Sequence, residues 1–288
     1  MKRFEYFEPQ TLDEAQELLA QYDGQASILA GGTDLLVEIK EALRSPDYVI
    51  NIKRIPGLDA CSYEEGQGLR FGALVTTRQI ETWPVVVEKY AGLAQAVREL
   101  GSIQVRNRAT VVGNICRASP SADTLPPLIA DGAHIRLNGP EGDRTILLEE
   151  FFTGPGRTVL QPAEIATEVL VPDPPPNTGK VYIKHGRRKA MELATVGVAV
   201  TMTVEDNRVA AIRVVLGAVA PTPIRAPQTE AILRGQTIRE AIVEEAANAA
   251  VQESRPISDV RSSADYRREM VRVLTARAVR RAWEKATT

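Results

Sequence analysis

Two short stretches of this 288-residue chain carry residue types that could hold an anion. The first, residues 28–40, reads ILAGGTDLLVEIK. The apolar run Ile28-Leu29-Ala30 meets Gly31-Gly32 and Thr33-Asp34, then apolar residues resume at Leu35, Leu36 and Ile39 with helical spacing. Paired glycines between a strand and a helix cost conformational entropy. Two arrangements offset that cost. One is a tight turn. The other is a ligand drawn close to bare backbone at a helix N-terminus, where free N–H groups and the helix dipole favour negative charge. Asp34 also fits a first-turn carboxylate responding to that dipole. The second stretch is Thr110-Val111-Val112-Gly113-Asn114. It reads as a turn closing a β-like run, with small residues and hydroxyl and amide groups. Two such turns can clamp one long ligand from both sides. A diphosphate suits them, because backbone N–H groups with Thr and Asn side chains neutralise it without lysine. Neither stretch is a Walker loop, since no Gly-Lys-Ser/Thr follows, and neither has GxGxxG spacing.

Other chemistry finds little support. No Ser-His-Asp set or paired-carboxylate arrangement is apparent, so no catalytic acid, base or nucleophile is assigned. Cys61 and Cys116 are the only cysteines, too few for an iron–sulfur cluster on this chain. Cys116 reads as a small buried residue. His134 and His185 lie far apart and lack nearby acidic partners, so no metal site is expected. The arginines of the tail, from Arg261 to Arg281, alternate with Asp and Glu as on a solvated helix face or a subunit contact.

The elements that must position the two stretches follow from periodicity. Thr11 caps an amphipathic helix through Tyr22, with Glu14 completing a capping box and Leu12, Ala15, Leu18 and Leu19 on one face. Gly24 ends it, Ala26–Ala30 forms a buried strand, and a second helix runs from Leu35 to about Leu43. Tyr48–Ile52 is a further strand, giving the alternation of an α/β layer. Beyond Leu58 a strand, a glycine turn and a helix starting at Thr76 or Thr77 follow, then a helix over 89–100. Residues 106–135 read as a long loop whose apolar flanks argue for a functional rather than a disordered segment. The four prolines and one glycine of VPDPPPNTGK, residues 171–180, form a stiff linker. Val196–Val204 and Val209–Val219 pair as a hairpin across Glu205-Asp206-Asn207-Arg208. Helices over 237–253 and from Ser263 onward complete the chain.

Bulk composition narrows the function classes. The chain is 44% hydrophobic and 25% charged, with a formal net charge of −2. These values suit a globular protein and argue against nucleic-acid binding. No apolar run is long enough to span a membrane. MKRFEYFEPQ lacks the apolar region of a secretory signal. With so few cysteines, a reducing, cytoplasmic setting is expected.

ILAGGTDLLVEIK and RNRATVVGNICRASPSADTLPPLIADGA, followed by YIKHGRRKAMELATVGVAV and SDVRSSADYRREM, occur in that order along nearly the whole chain. Together they resemble the FAD-binding (medium) subunit of the molybdenum hydroxylases, the xanthine dehydrogenase and carbon monoxide dehydrogenase family. The resemblance implies an α+β protein. A PCMH-type FAD-binding domain of two α/β subdomains, residues 1–172 divided near 56, precedes a C-terminal domain of antiparallel strands plus helices, residues 177–288. It also implies which residues hold FAD. Leu29, Ala30, Gly31, Gly32, Thr33, Asp34 and Leu35 lie on one side, and Ala109, Thr110, Val112, Gly113 and Asn114 on the other. Ser119 and Asp123 belong to the following loop, Ile165 or Ala166 supplies a backbone contact, and Lys184, Leu193 and Leu100 line the flavin pocket. Val112 departs from the family pattern, replacing the first glycine of the usual GGN. A valine there is harmless at negative φ and strained at positive φ.

The implied function is electron transfer. FAD on this chain receives electrons from [2Fe-2S] clusters on a small subunit, fed by a molybdenum-binding large subunit, and passes them to NAD, a quinone, ferredoxin or oxygen. Two alternatives stay open. One is a stand-alone FAD reductase of the same cofactor fold, resembling UDP-N-acetylenolpyruvoylglucosamine reductase. The other is a scaffold subunit that has lost FAD.

Overall fold

The computed structural model describes residues 2–288. Its first layer is a three-stranded parallel sheet. Strand β1 (Glu5–Phe7) leads to helix α1 (Leu12–Gln21), β2 (Ala26–Leu29), helix α2 (Leu35–Lys40) and β3 (Tyr48–Asn51), in spatial order β1-β3-β2. Thr11 caps α1 by accepting from Glu14 N at 3.1 Å. The Glu14 carboxylate accepts from Gln10 N at 2.6 Å, one residue before the expected partner. Helix α2 stops at Lys40 rather than Leu43. Ala42 adopts φ +58°, and Leu43 N turns back to Glu38 O at 2.9 Å, a left-handed closure with no glycine to announce it. Strand β3 ends at Asn51, whose side chain accepts from Lys53 N and starts a 3₁₀ turn over Ile52–Arg54.

A five-stranded antiparallel sheet follows. Its elements in chain order are β4 (Cys61–Glu64), β5 (Gly68–Gly72), α3 (Thr77–Thr82), α4 (Pro84–Lys89), α5 (Ala91–Glu99), α6 (Ile103–Arg106), α7 (Val111–Arg117) and α8 (Leu125–Ala130). Then come β6 (His134–Gly139), β7 (Gly142–Leu147), the small hairpin β8 (Phe152–Gly154) and β9 (Arg157–Thr158), and β10 (Ile165–Val171). The strand order is β4-β5-β10-β6-β7, with β10 central, its Val169 opposite both Phe71 and Ile135. All three side chains are buried. Two expectations change here. The helix over 89–100 is broken at Tyr90, which leaves helical dihedrals and buries its ring, its hydroxyl donating to Pro172 O at 3.1 Å. The region 106–135 is not one long loop but carries two short helices, α7 and α8, separated by turns. Thr110 caps α7, and Pro126 and Pro127 open α8, where a missing N–H costs nothing.

The last part is an antiparallel sheet, β11 (Thr178–His185), β12 (Val196–Glu205), β13 (Arg208–Gly217) and β14 (Ile224–Arg225), paired in that order. Asp206 and Asn207, both at positive φ, make the two-residue turn of the expected hairpin. Helices α9 (Pro227–Leu233), α10 (Glu240–Glu253) and α11 (Ala264–Thr287) cover one face. Helix α9 has no counterpart among the elements expected from the sequence, and α10 starts three residues later than expected. Alternation along β12 explains why its first half, Val196–Val200, is apolar on both faces. Val196, Val198, Val200 and Met202 pack under the helices, whereas Ala199 joins the core of the preceding sheet. Lys180 on β11 reaches Asp131 beyond α8 at 2.9 Å and lies over the Tyr90 ring, a buried pair joining the two parts.

Candidate cofactor site

The glycine stretch leaves the end of β2, and the 3₁₀ turn with Lys53 leaves the end of β3. These strands are parallel neighbours, so both turns emerge at one carboxyl edge, where open sheets of this kind gather ligands. The two glycines serve different ends. Gly32 has φ +74°, which excludes most side chains. Gly31 needs space: a Cβ there would overlap the carbonyl oxygen of Arg108 and press on Ala109. The missing side chain thus lets the two stretches pack backbone to backbone. The N–H groups of Gly32, Thr33 and Asp34 donate to no acceptor among the described residues, and Asp34 makes no side-chain cap to α2. Successive free N–H groups in a turn attract an anion.

Thr110 is held by the helices around it. Thr77 N donates to Ala109 O at 2.8 Å, and Thr77 Oγ1 to Arg106 O at 3.2 Å. Arg106 in turn pairs with Glu81 at 2.8 Å and donates to Leu100 O at 3.0 Å. Burial pushes the Glu81 carboxyl up, but Arg78 and Arg106 outweigh it and hold the pKa below the usual range. Thr110 Oγ1 accepts from Gly113 N at 3.0 Å. Val112 lies inside α7 at negative φ and is 3% exposed, its side chain in the core. The departure from GGN is therefore unstrained, and the valine side chain is turned away from the turn surface. Asn114 Oδ1 accepts from Thr124 Oγ1 at 2.7 Å, tying α7 to the residue after Asp123.

A cleft of about 350 Å³ opens between the two stretches, lined by Ala30, Gly31, Lys53, Thr76, Arg108 and Thr110 among others. Lys53 Nζ donates to Ala30 O at 3.1 Å. Burial, and then the neighbouring Arg108 guanidinium, hold its pKa below the usual lysine range. Sequence reasoning passed over Lys53 and Arg108 and sought neutralisation without lysine. Lys53 comes just after β3, and only the parallel pairing of β3 with β2 brings it to the edge where the glycine turn emerges.

The remaining candidate residues lie outside the lining of this cleft, on the end of α5, the loop after α7, β10, β11 and the loop that follows β11. Asp123 Oδ2 accepts from Lys184 Nζ at 2.8 Å, and Asp123 Oδ1 from the Tyr182 hydroxyl at 2.8 Å. Lys184 also donates to Glu99 O at 3.2 Å and Glu192 O at 2.7 Å, so all three ammonium hydrogens are engaged within the protein. Burial pushes the Asp123 carboxyl up to about 6, against the pull of Lys184 and Tyr182. Leu100 adjoins Glu99. Leu193 is 53% exposed on the loop between β11 and β12. Ser119 is half-buried at the end of α7, its Oγ accepting from Ser121 N at 3.4 Å. Ile165 is buried at the start of β10, opposite Asn138 of β6. The basic run Arg187-Arg188-Lys189 is exposed, with Arg187 and Arg188 each 3.6 Å from Glu192. Cys116 is largely shielded and its thiol pushed up to about 12 by burial, so it is no nucleophile. No group of His, Cys, Asp and Glu suited to a metal occurs among the described residues.

Free turn N–H groups close to two cations suit a bound anion such as a diphosphate. Residues 2–174 match the family model described as the FAD binding domain in molybdopterin dehydrogenase. Residues 181–282 match the CO dehydrogenase flavoprotein C-terminal domain. The carbon monoxide dehydrogenase medium chain of Hydrogenophaga pseudoflava is 37% identical, with 98% of each chain covered. The nicotinate dehydrogenase FAD-subunit of Eubacterium barkeri is 35% identical over 82% of this chain and 81% of its own. A solved carbon monoxide dehydrogenase from Hydrogenophaga pseudoflava, lacking the Mo-pyranopterin moiety, superposes with a TM-score of 0.95 at 37% identity, covering 99% of this chain and 98% of that one.

Proposed function

The chain belongs to the family of FAD-binding subunits of molybdopterin dehydrogenases, and from that premise we propose that it is the electron-transfer flavoprotein of a multi-subunit molybdenum hydroxylase. The observation that carries the proposal is the junction of the two stretches, where Gly31 packs on Arg108 in a cleft shared with Lys53 and the N–H groups of the next three residues, Gly32–Asp34, are left free. Gly32, Thr33, Asp34, Thr110, Gly113 and Asn114 would hold the diphosphate, and Leu100, Leu193 and the Ile165 backbone would flank the flavin. FAD supplies reversible one- and two-electron redox chemistry, which no side chain of this protein can provide. The protein binds, orients and sets the electrostatics. Buried Asp123 and Lys184 fix the pocket wall, and the loop bearing Leu193 limits solvent access.

The partners in this proposal are a molybdenum-binding large subunit and a [2Fe-2S] small subunit, with NAD, a quinone or oxygen as the final acceptor in a cytoplasmic complex. Among the described residues no helix is long and apolar enough to cross a membrane. The proposal is tested by mixing the FAD-loaded chain with a chemically reduced [2Fe-2S] small subunit and following the flavin visible band. Bleaching that needs the small subunit supports it. A flavin that stays oxidised in the assembled complex contradicts it.

A further inference from the structure

The stretch SDVRSSADYRREM, residues 258–270, takes no part in the site described above, yet it folds around a deeply buried charge. Arg267, near the start of α11, is 3% exposed. Its Nη1 donates to Thr195 O at 2.9 Å and Ala218 O at 3.0 Å, and its Nη2 to Asp259 Oδ1 at 2.7 Å. The same Asp259 oxygen accepts from the backbone N–H groups of Arg261 at 2.8 Å and Ser262 at 3.2 Å. Removing a guanidinium from water is expensive, and a well-packed apolar side chain often serves stability as well. The groups held by this fork therefore matter more than the ion pair itself.

Both carbonyls lead to the cofactor pocket. Thr195 closes the loop that carries Leu193, since its N–H donates to His185 O at 2.8 Å. Lys184 grips the same loop through Glu192 O. Ala218, at φ +63°, sends its N–H to Pro120 O at 2.8 Å, within the loop that carries Ser119 and Asp123. One guanidinium thus joins two pieces of pocket wall that come from different parts of the chain. We propose that Arg267 is a positioning residue for the flavin end of the cofactor, fixing the Leu193 loop against the Pro120–Asp123 loop without touching the cofactor. This inference rests on the FAD assignment. The diphosphate end is built by Gly31, Gly32 and Thr110, none of which bonds to Arg267, so the two ends are separable by experiment.

The full-length chain, Arg267→Met and Arg267→Lys are titrated with FAD and, separately, with ADP. Visible circular dichroism of the bound flavin and hydrogen exchange over residues 186–195 are recorded alongside. Arg267→Met is expected to weaken FAD about tenfold, the lower range over which the supports of a bound group act. Its ADP affinity stays unchanged, its flavin dichroism is altered, and exchange in the 186–195 loop is faster. Arg267→Lys recovers part of the FAD affinity, because a lysine can reach Asp259 and one carbonyl but cannot fork to all three. If Arg267→Met does not fold, an intermediate FAD loss with unchanged ADP affinity in Arg267→Lys is the supporting result. Wild-type FAD affinity and dichroism in the variants overturn the inference. So does an ADP loss as large as the FAD loss, which marks general destabilisation. A wild-type chain that binds neither ligand removes the FAD assignment itself, and the inference with it.

Discussion

The Lys184 ammonium sits 2.8 Å from the Asp123 carboxylate, with each side chain 7% exposed. One group comes from the C-terminal sheet and the other from the loop after α7, so the pair ties the two parts of the chain together. Breaking a buried pair leaves the remaining charge uncompensated. Lys184→Met is expected to cost about 3–5 kcal/mol in denaturant unfolding. The double variant Asp123→Asn/Lys184→Met should cost clearly less than the two single losses added, as coupled neighbours do. Strictly additive losses would show that the contact contributes nothing.

The same burial gives Asp123 a pH signature. Its folded pKa is raised from 3.8 to about 6, so between these values the folded chain holds the proton more tightly than the unfolded one. Its contribution to stability is therefore fully present below the lower value and lost as pH rises through about 6. Relative to Asp123→Asn, the wild type should lose stability across that window and run parallel above it. Lys184→Met should move the transition to higher pH. A carboxyl carbon resonance for Asp123 that titrates near the ordinary aspartate value would refute this.

Lys53 and Arg108 line the cleft beside the glycine turn, with no carboxylate within ion-pair distance among the described residues. If they face the FAD diphosphate, Lys53→Met and Arg108→Met should each weaken FAD by about 1.5–3 kcal/mol, the worth of a hydrogen bond to a charged group. The salt dependence of binding should fall with them. Riboflavin, which lacks the phosphates, should bind all three proteins equally. Unchanged FAD affinity and salt slope in both variants would place the diphosphate elsewhere.

Some of this was legible in the sequence, and the reasons are local. Ile28-Leu29-Ala30 before two glycines and a helical apolar pattern can form little but a strand, a turn and a helix, and β2 and α2 are found there. The hairpin at Asp206-Asn207 was equally plain, because both residues tolerate the left-handed region. Residues 106–135 were not legible. Their Gly, Asn, Ser and Pro content reads as loop, but Thr110 and the paired prolines act as helix starts once Thr77 and Val75 pin the backbone. The closure of α2 at Ala42 carries no compositional mark, since a left-handed alanine looks like any other. That Gly31 packs on Arg108, and that Lys53 lies beside it, depends on the parallel pairing of β2 with β3, which no local pattern encodes.

Val112 is expected to matter for stability and not for cofactor affinity. Val112→Gly restores the family's glycine but empties part of the core and puts glycine inside a helix, together costing about 2–3 kcal/mol. FAD affinity should not improve. Tighter FAD binding with unchanged stability would mean that the valine side chain obstructs the cofactor after all.

The most direct measurement compares the cofactor content of the purified wild-type chain with that of Gly31→Ala, by absorption spectrum and identification of the flavin released on denaturation. The expected result is FAD, not FMN, in the wild type. Gly31→Ala should be nearly flavin-free, because the new methyl group forces the Arg108 carbonyl and Thr110 out of place, while its circular dichroism still shows the C-terminal sheet and helices. A colourless wild-type chain that also takes up no added FAD would contradict the assignment, as would full FAD retention in Gly31→Ala.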